Sequence, residues 1–506
     1  MKAKKPNILW LMSDQHNANC MGAAGHPDVR TPNLDRIAHS GVQFNRAYCN
    51  NPVCGPSRCS FLSGQYVRSH GIAGNYNRDV ESSGSPNLAR LFQQNGYETA
   101  LIGKAHLPWQ WLKEGFGFIR FSDLCDAQFN DPTSCHYFKD LIDAGLADKY
   151  DHGTFFPGDP RYGDRAFISE LPEEFSLEAW TGRKAVEFLD QRDRQKPFFL
   201  NVSFQRPHNP YSPPAERADE YDASALHLPD NACDYLERGF AGKPQFQQEY
   251  MAGKKGMGYP FRSHDRKELR VQMAAHFTLI TMIDEAIGEI LKSLESHGEL
   301  DNTIIAYVAD HGDFAGEHGL MSKNLGIYES IHRIPFLLSG PGVTKDVVRD
   351  TIVESVDLYP TLVELAGLTC ESGVDGVSRT KEITTGKGGL DSTICEWEFV
   401  SPQNNVHAIR NDHYRFVYYD TFPDDGELYD CQADPGELNN LFQDVRYQAV
   451  RNKFIKQLEE YRVGVKRVYR WSEDAPKTAK TKYQASVRIQ KFGAKWSDIC
   501  TEVSKS

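Results

Sequence analysis

The stretch C54-G-P-S-R-C-S-F-L-S-G64 combines a thiol, a Gly-Pro turn, an arginine and the opening turns of a helix. A cysteine at a helix N-terminus beside Arg58 is expected to have a lowered pKa and to be reactive. The same helix end, with the guanidinium next to it, is an anion site. The stretch therefore reads as a nucleophile aimed at an anion. The competing reading of Cys54 is a small buried hydrophobe. The rest of the chain decides between them.

Outward from this stretch, short apolar runs at residues 7–12, 99–102, 198–204 and 303–308 have the character of central strands buried on both faces. Helical patterns lie between them. The clearest covers residues 267–294, with Leu269, Met273, Phe277, Ile280, Ile283, Ile287 and Leu291 at helical spacing and Gly298 past its end. Alternating strands and helices predict an α/β fold with a large, mainly parallel central sheet sandwiched by helices. Residues 355–367 read as a helix, 407–419 as a hairpin turning near Asn411 and Asp412, and 445–461 as a helix. This predicts a catalytic domain over 1–374 and a smaller α+β domain over 375–506 with a basic tail. Residues 108–167 and 231–266 have little periodicity and read as long functional loops.

The polar residues that look chemical share one position, just after a strand. Asp14 and Gln15 follow the first, Lys104 and His106 the second, His208 the third, and Asp310 and His311 the fourth. Open α/β sheets bind ligands outside the carboxyl ends of their strands, so one edge would gather all of these. Asp14, Gln15, Asp310 and His311 offer hard oxygens plus one imidazole, a set suited to Ca²⁺, Mg²⁺ or Mn²⁺ rather than structural zinc. Each also has a plain reading. The two aspartates fit turn caps, Lys104 and Lys323 fit surface cations, and His318 and His332 are read as structural.

Composition narrows the partners. The 506 residues carry a formal net charge of −12, which disfavours nucleic acid. No apolar run is long enough to span a bilayer. Residues 1–12 read as a buried first strand, so the chain is expected in the cytoplasm as given, or in the periplasm or outside the cell if a leader was removed. Eleven cysteines without framework spacing fit reduced thiols.

Residues 54–64 resemble the sulfatase signature C-x-P-S-R-x-x-x-L-[TS]-G. Further resemblances to that family are GYETALIGKAHL (96–107), SFQRPHNPY (203–211), ADHGDFAGEHGLMSKNLGIYE (309–329), RIPFLLSGPGV (333–343), VDLYPTLVELAG (356–367) and ELYDCQADPGELNNL (427–441). The resemblance runs nearly end to end. It implies the alkaline-phosphatase-like fold and a sulfuric ester hydrolase. It also implies conversion of Cys54 by a maturase to formylglycine (3-oxoalanine), an aldehyde whose hydrate attacks sulfur. It assigns Asp14, Gln15, Asp310, His311 and the modified Cys54 to a divalent metal, calcium first, with manganese or magnesium as alternatives. It assigns Arg58 to orienting the diol, Lys104 and Lys323 to the sulfate oxygens, His208 to the leaving alcohol and His106 to release. Many family members have Asp where this chain has Gln15, and Asn where it has His311. The pairs found here recur in members resembling phosphonate monoester hydrolases, choline sulfatase and some glycan sulfatases.

The expected substrate is an O-sulfate ester on a carbohydrate. Trp109, Trp111, Tyr137 and Arg206 in the long loops fit sugar stacking and anion binding, and Trp109, Arg206 and Asn324 are the candidate substrate contacts. The alternatives on this scaffold are a phosphonate monoester or phosphodiester hydrolase, a small-molecule (aryl or choline) sulfatase, and a glycan-binding relative without turnover. An oligomer is compatible with the sequence.

Overall fold

The computed structural model of the chain describes residues 4–75, 84–123, 135–150, 166–251, 263, 265–323, 325–398, 405–420 and 422–462. The strands in chain order are β1 (Asn7–Asp14), β2 (Gly41–Phe44), β3 (Ala47–Tyr48), β4 (Glu98–Gly103), β5 (Phe118–Phe121), β6 (Phe198–Pro207), β7 (Thr303–Ala309), β8 (Phe336–Ser339), β9 (Val347–Arg349), β10 (Val353–Glu354), β11 (Ser392–Glu398), β12 (Asn405–Asn411), β13 (Tyr414–Tyr419) and β14 (Glu427–Asp430). Eight of them form one sheet in the order β5-β4-β6-β1-β7-β8-β2-β9. All neighbours are parallel except β8, which runs antiparallel to β7 and β2. The expected mainly parallel sheet is present, and the structure adds β2, β5, β8 and β9 to the four runs read from sequence.

β1 is buried along its whole length, as its unbroken apolar run requires. Its side chains alternate between two cores. Ile8, Trp10 and Met12 pack with Phe61 and Leu62 of the helix Cys54–Ser63 and with Leu88 and Phe92. Leu9 and Leu11 pack with Ala185, Phe188 and Leu189 of the helix Leu177–Gln191, and with Ile283, Ile287 and Leu294 of the helix Arg266–Ser296. Helices thus cover both faces. Asp265 caps the long helix, its carboxylate accepting from Lys267 N and Glu268 N at 2.8 Å each.

A second, antiparallel sheet runs β11-β12-β13-β14. Its β12–β13 pair is the hairpin expected around Asn411 and Asp412. The helix Gln448–Arg462 lays Phe454 and Leu458 on Ile409, Phe416 and Leu428 of this sheet. The described parts of residues 108–167 are less irregular than expected. They hold the helices Trp109–Gly115 and His136–Asp143 and the strand β5. The basic tail lies outside the described residues. Among the described residues no helix is long and apolar enough to cross a membrane, and the nine described cysteines are free thiols.

Candidate active site

The parallel strands β1, β4, β6 and β7 end on one edge, and that edge carries the polar cluster. Asp14 is the last residue of β1, where the pairing with β6 is interrupted by a bulge. The chain then turns sharply, with Gln15 at φ 63°. Asp310 and His311 follow β7, and Lys104 follows β4. The helix Cys54–Ser63 starts against this edge and is buried over its whole length. A helix without a solvent face needs partners for its polar residues, and the site supplies them.

Arg58 is the hub. Its Nε donates to Asp310 Oδ2 at 2.8 Å, one Nη donates to Ser203 Oγ at 2.6 Å and to Lys104 O at 3.2 Å, and the other reaches Asp14 Oδ2 at 3.5 Å. Ser57 Oγ donates to Asp310 O at 2.5 Å. The Lys104 ammonium pairs directly with the Asp14 carboxylate. Burial alone would push the Asp14 carboxyl up. Lys104, His208 and Arg58 more than offset this and hold it well below the usual carboxylate range.

Cys54 Sγ sits 3.4 Å from His311 Nε2, 3.5 Å from Lys323 Nζ and 3.6 Å from Asp14 Oδ1. Burial and Asp14 push its thiol pKa up, while Lys104 and Lys323 pull it down, and the net position is well below that of an ordinary thiol. His311 Nδ1 lies 3.0 Å from Gly312 O, a contact that needs the proton on Nδ1. Nε2 faces Cys54, Asp14 and Lys323, the last at 2.6 Å.

Donor atoms of Asp14, Cys54, Asp310 and His311 all lie within 4.8 Å of one another. Gln15 borders this set, its backbone N–H donating to Asp310 Oδ1 at 3.0 Å. Its Nε2 donates to Asp313 Oδ2 at 2.6 Å and Ser322 Oγ at 3.2 Å, while its buried Oε1 has no hydrogen-bond partner. Two carboxylates, an imidazole and an orphaned amide oxygen on the residue next to Asp14 fit a divalent cation.

His208 lies within electrostatic reach of Asp14, Lys323 and Lys104. Its Nδ1 lies 2.5 Å from Asn209 O. Burial, followed by Lys323 and Lys104 against an opposing Asp14, lowers its pKa well below the ordinary histidine value. His106 sits at φ 50° beside Lys104. Its backbone N–H donates to Asp123 Oδ2 at 2.7 Å, and its Nε2 is 3.4 Å from Asp123 Oδ1.

Two of the three expected substrate contacts are among the described residues. The Arg206 guanidinium donates to His208 O at 3.0 Å, Pro210 O at 2.6 Å and Ser212 Oγ at 3.0 Å, so it shapes the loop that carries His208. Trp109 is half-buried, edge-on to Phe121 at 5.6 Å. Asn324 lies outside the described residues. Trp111 and Tyr137, read from sequence as loop aromatics, are each 1% exposed and belong to hydrophobic cores. Three site residues were missed in sequence. Ser203 holds Arg58, Asp123 holds His106, and Asp313 holds Gln15. Asp313 had a signal, a third acidic position three residues past Asp310. Ser203 had only its place at the start of the stretch 203–211, because a serine inside an apolar run has no distinguishing pattern of its own.

Residues 6–368 match the family model described as Sulfatase. The chain belongs to the sulfatase family. Residues 316–464 also match a model described as N-sulphoglucosamine sulphohydrolase, C-terminal. An arylsulfatase of Clostridium perfringens is 31% identical, covering 90% of this chain and 95% of the relative. An N-acetylglucosamine-6-O-sulfatase of Bacteroides thetaiotaomicron is 27% identical, covering 91% and 86%. The phosphonate monoester hydrolase of Agrobacterium radiobacter, a solved structure, superposes with a TM-score of 0.73 at 22% identity over 93% of this chain and 97% of that one. The last likeness concerns the fold, which is alkaline-phosphatase-like. This sulfatase-family chain is a sulfuric ester hydrolase.

Proposed function

We propose that the protein hydrolyses an O-sulfate ester on a carbohydrate, using Cys54 after its oxidation to formylglycine. The observation that carries the nucleophile is the position of Cys54 Sγ, within 3.6 Å of Asp14, His311 and Lys323 at a buried helix start. The carbohydrate part is supported by the N-acetylglucosamine-6-O-sulfatase relative. The matched C-terminal model described for N-sulphoglucosamine sulphohydrolase supports it too.

Maturation is a two-electron oxidation. The Cys54 side-chain carbon loses its sulfur as sulfide and gains a carbonyl oxygen. A maturase and an external oxidant such as dioxygen supply it. Hydration of the aldehyde gives two hydroxyls on one carbon. One attacks the substrate sulfur while the bond from sulfur to the sugar oxygen breaks. Arg58 fixes this group through its grip on Asp310 and Asp14. Lys104 and Lys323 offset charge on the sulfate oxygens. Burial, with Lys323 and Lys104, keeps His208 neutral; the arriving sulfate counters the two lysines, which favours a proton on His208 for the leaving alcohol. The second hydroxyl then loses its proton with help from His106, sulfate is expelled and the aldehyde returns. Water rehydrates it, so the net consumption is one water per ester. Asp14, Gln15, Asp310, His311 and the modified Cys54 would hold a divalent cation, calcium in the first instance, which supplies Lewis-acid stabilisation of the nucleophilic oxygen.

We also place the boundary between the catalytic and C-terminal parts at residues 374/375, supported by the antiparallel sheet that begins at Ser392. The test of function is a comparison of kcat/KM on N-acetylglucosamine 6-sulfate, an aryl sulfate and an aryl phosphonate monoester. The proposal expects the sulfated sugar to lead. A higher value for the phosphonate would transfer the scaffold to the second reading, which the phosphonate monoester hydrolase fold supports.

A further inference from the structure

Asp313 is fully buried. Its Oδ1 accepts from Ala315 N at 2.7 Å and Ser322 N at 2.9 Å. Its Oδ2 accepts from Gln15 Nε2 at 2.6 Å and Tyr211 OH at 2.9 Å. A carboxylate only accepts, so it dictates which way the Gln15 amide points. With the NH₂ held at Asp313, Oε1 is left facing away without a partner. The contact to Ser322 reaches further. Ser322 sits at φ 65°, directly before Lys323, and its hydroxyl donates to Asn209 Oδ1 at 2.9 Å, next to His208.

We propose that Asp313 is a positioning residue that fixes the Gln15 amide with its oxygen toward the divalent cation, while its hydrogen bond to Ser322 N sets the backbone ahead of Lys323. The inference rests on the cation reading given above. The hydrogen bonds make a signed prediction. In Asp313→Asn, the backbone N–H groups of Ala315 and Ser322 still require an acceptor, so the new carbonyl must take the Oδ1 place. The new NH₂ then faces Gln15 and turns its amide around. A donor now points at the cation, and affinity falls. A carboxylate has no such handedness. In the double variant Asp313→Asn with Gln15→Glu, one carboxylate oxygen accepts from Asn at 313 and the other faces the cation, so affinity returns. Tyr211 OH serves as donor or acceptor and fits either case.

The test is calorimetric titration of Ca²⁺ into cation-stripped full-length protein. Saturable binding is expected in the wild type, a loss of about tenfold or more in Asp313→Asn, and recovery in the double variant. Wild-type affinity in Asp313→Asn, or no recovery in the double variant, overturns the positioning role while leaving the cation reading intact. No saturable binding in the wild type overturns both. Should Asp313→Asn fail to fold, Gln15→Glu alone decides. It sets a carboxylate against Asp313, so affinity falls despite the added negative charge. A gain in affinity would mean that Asp313 does not orient this side chain.

Discussion

Arg58 Nε donates to Asp310 Oδ2 at 2.8 Å, which ties the helix that begins with Cys54 to the end of strand β7. The guanidinium also holds Ser203 of β6 and reaches Asp14 of β1. One side chain therefore registers the nucleophile against three strands. Lysine has a single point of donation and cannot reproduce this fork. Arg58→Lys is expected to lower kcat on the order of 100-fold with a smaller change in KM. Steady-state kinetics on any accepted sulfate ester checks this. Near wild-type kcat would mean that the other contacts suffice.

Gly103 closes β4 at φ 104°, and a Cβ there would meet Ser203 O at 1.9 Å. That oxygen also accepts from Lys104 N at 2.8 Å. Gly103→Ala therefore strains the backbone directly ahead of Lys104 and opens the β4–β6 edge. The expected cost is about 2 kcal/mol or more in stability. Thermal unfolding and KM for the sulfate ester should both shift. A variant with unchanged melting and KM would refute the argument.

The strands and helices that build the fold were legible because their apolar runs must be buried. β1, β4, β6 and β7 lie where residues 7–12, 99–102, 198–204 and 303–308 placed them. β2, β8 and β9 were not, since four or fewer residues at a sheet margin leave no periodicity. At the site, a strand-end position identifies a polar residue but not its direction. His208 and Arg206 are two residues apart, yet Arg206 turns back onto the loop carbonyls while His208 lies within electrostatic reach of Asp14, Lys323 and Lys104. Trp111 and Tyr137 show the same limit for aromatics. Their segments form short helices, and helices in a compact chain bury such rings.

Glu354 gives the fold a pH dependence of its own. It is buried at the start of the capped turn after β10, accepting from Tyr66 OH and Thr393 Oγ1 at 2.6 Å each. Burial, with Asp357 adding to it, pushes its carboxyl up to about 7, against the pull of Thr393 and Tyr66. The native state thus binds this proton more tightly than the unfolded chain. Between roughly pH 4.5 and pH 7 the native state holds more protons, so the stability contributed by this group falls as pH rises. The full loss is about 3 kcal/mol. In Glu354→Gln this group's share of the slope should vanish. Chemical denaturation of both proteins from pH 5 to 8 reads the difference, and a difference independent of pH would contradict the assignment.

Chelation separates the roles of the charged groups. Lys104 and Arg58 already neutralise Asp14, so the fold is expected to survive cation removal with only a modest fall in melting temperature. Turnover should be lost and should return on adding Ca²⁺ or another divalent cation. Full activity in exhaustively chelated protein would remove the cation from the account.

The central claim is that Cys54 is the precursor of the nucleophile. The most direct measurement is mass spectrometry of the peptide containing Cys54–Arg58 from active protein, paired with its specific activity. The account predicts a mass about 18 Da below that of the thiol peptide, with activity proportional to the converted fraction. An unconverted Cys54 in fully active protein would contradict it.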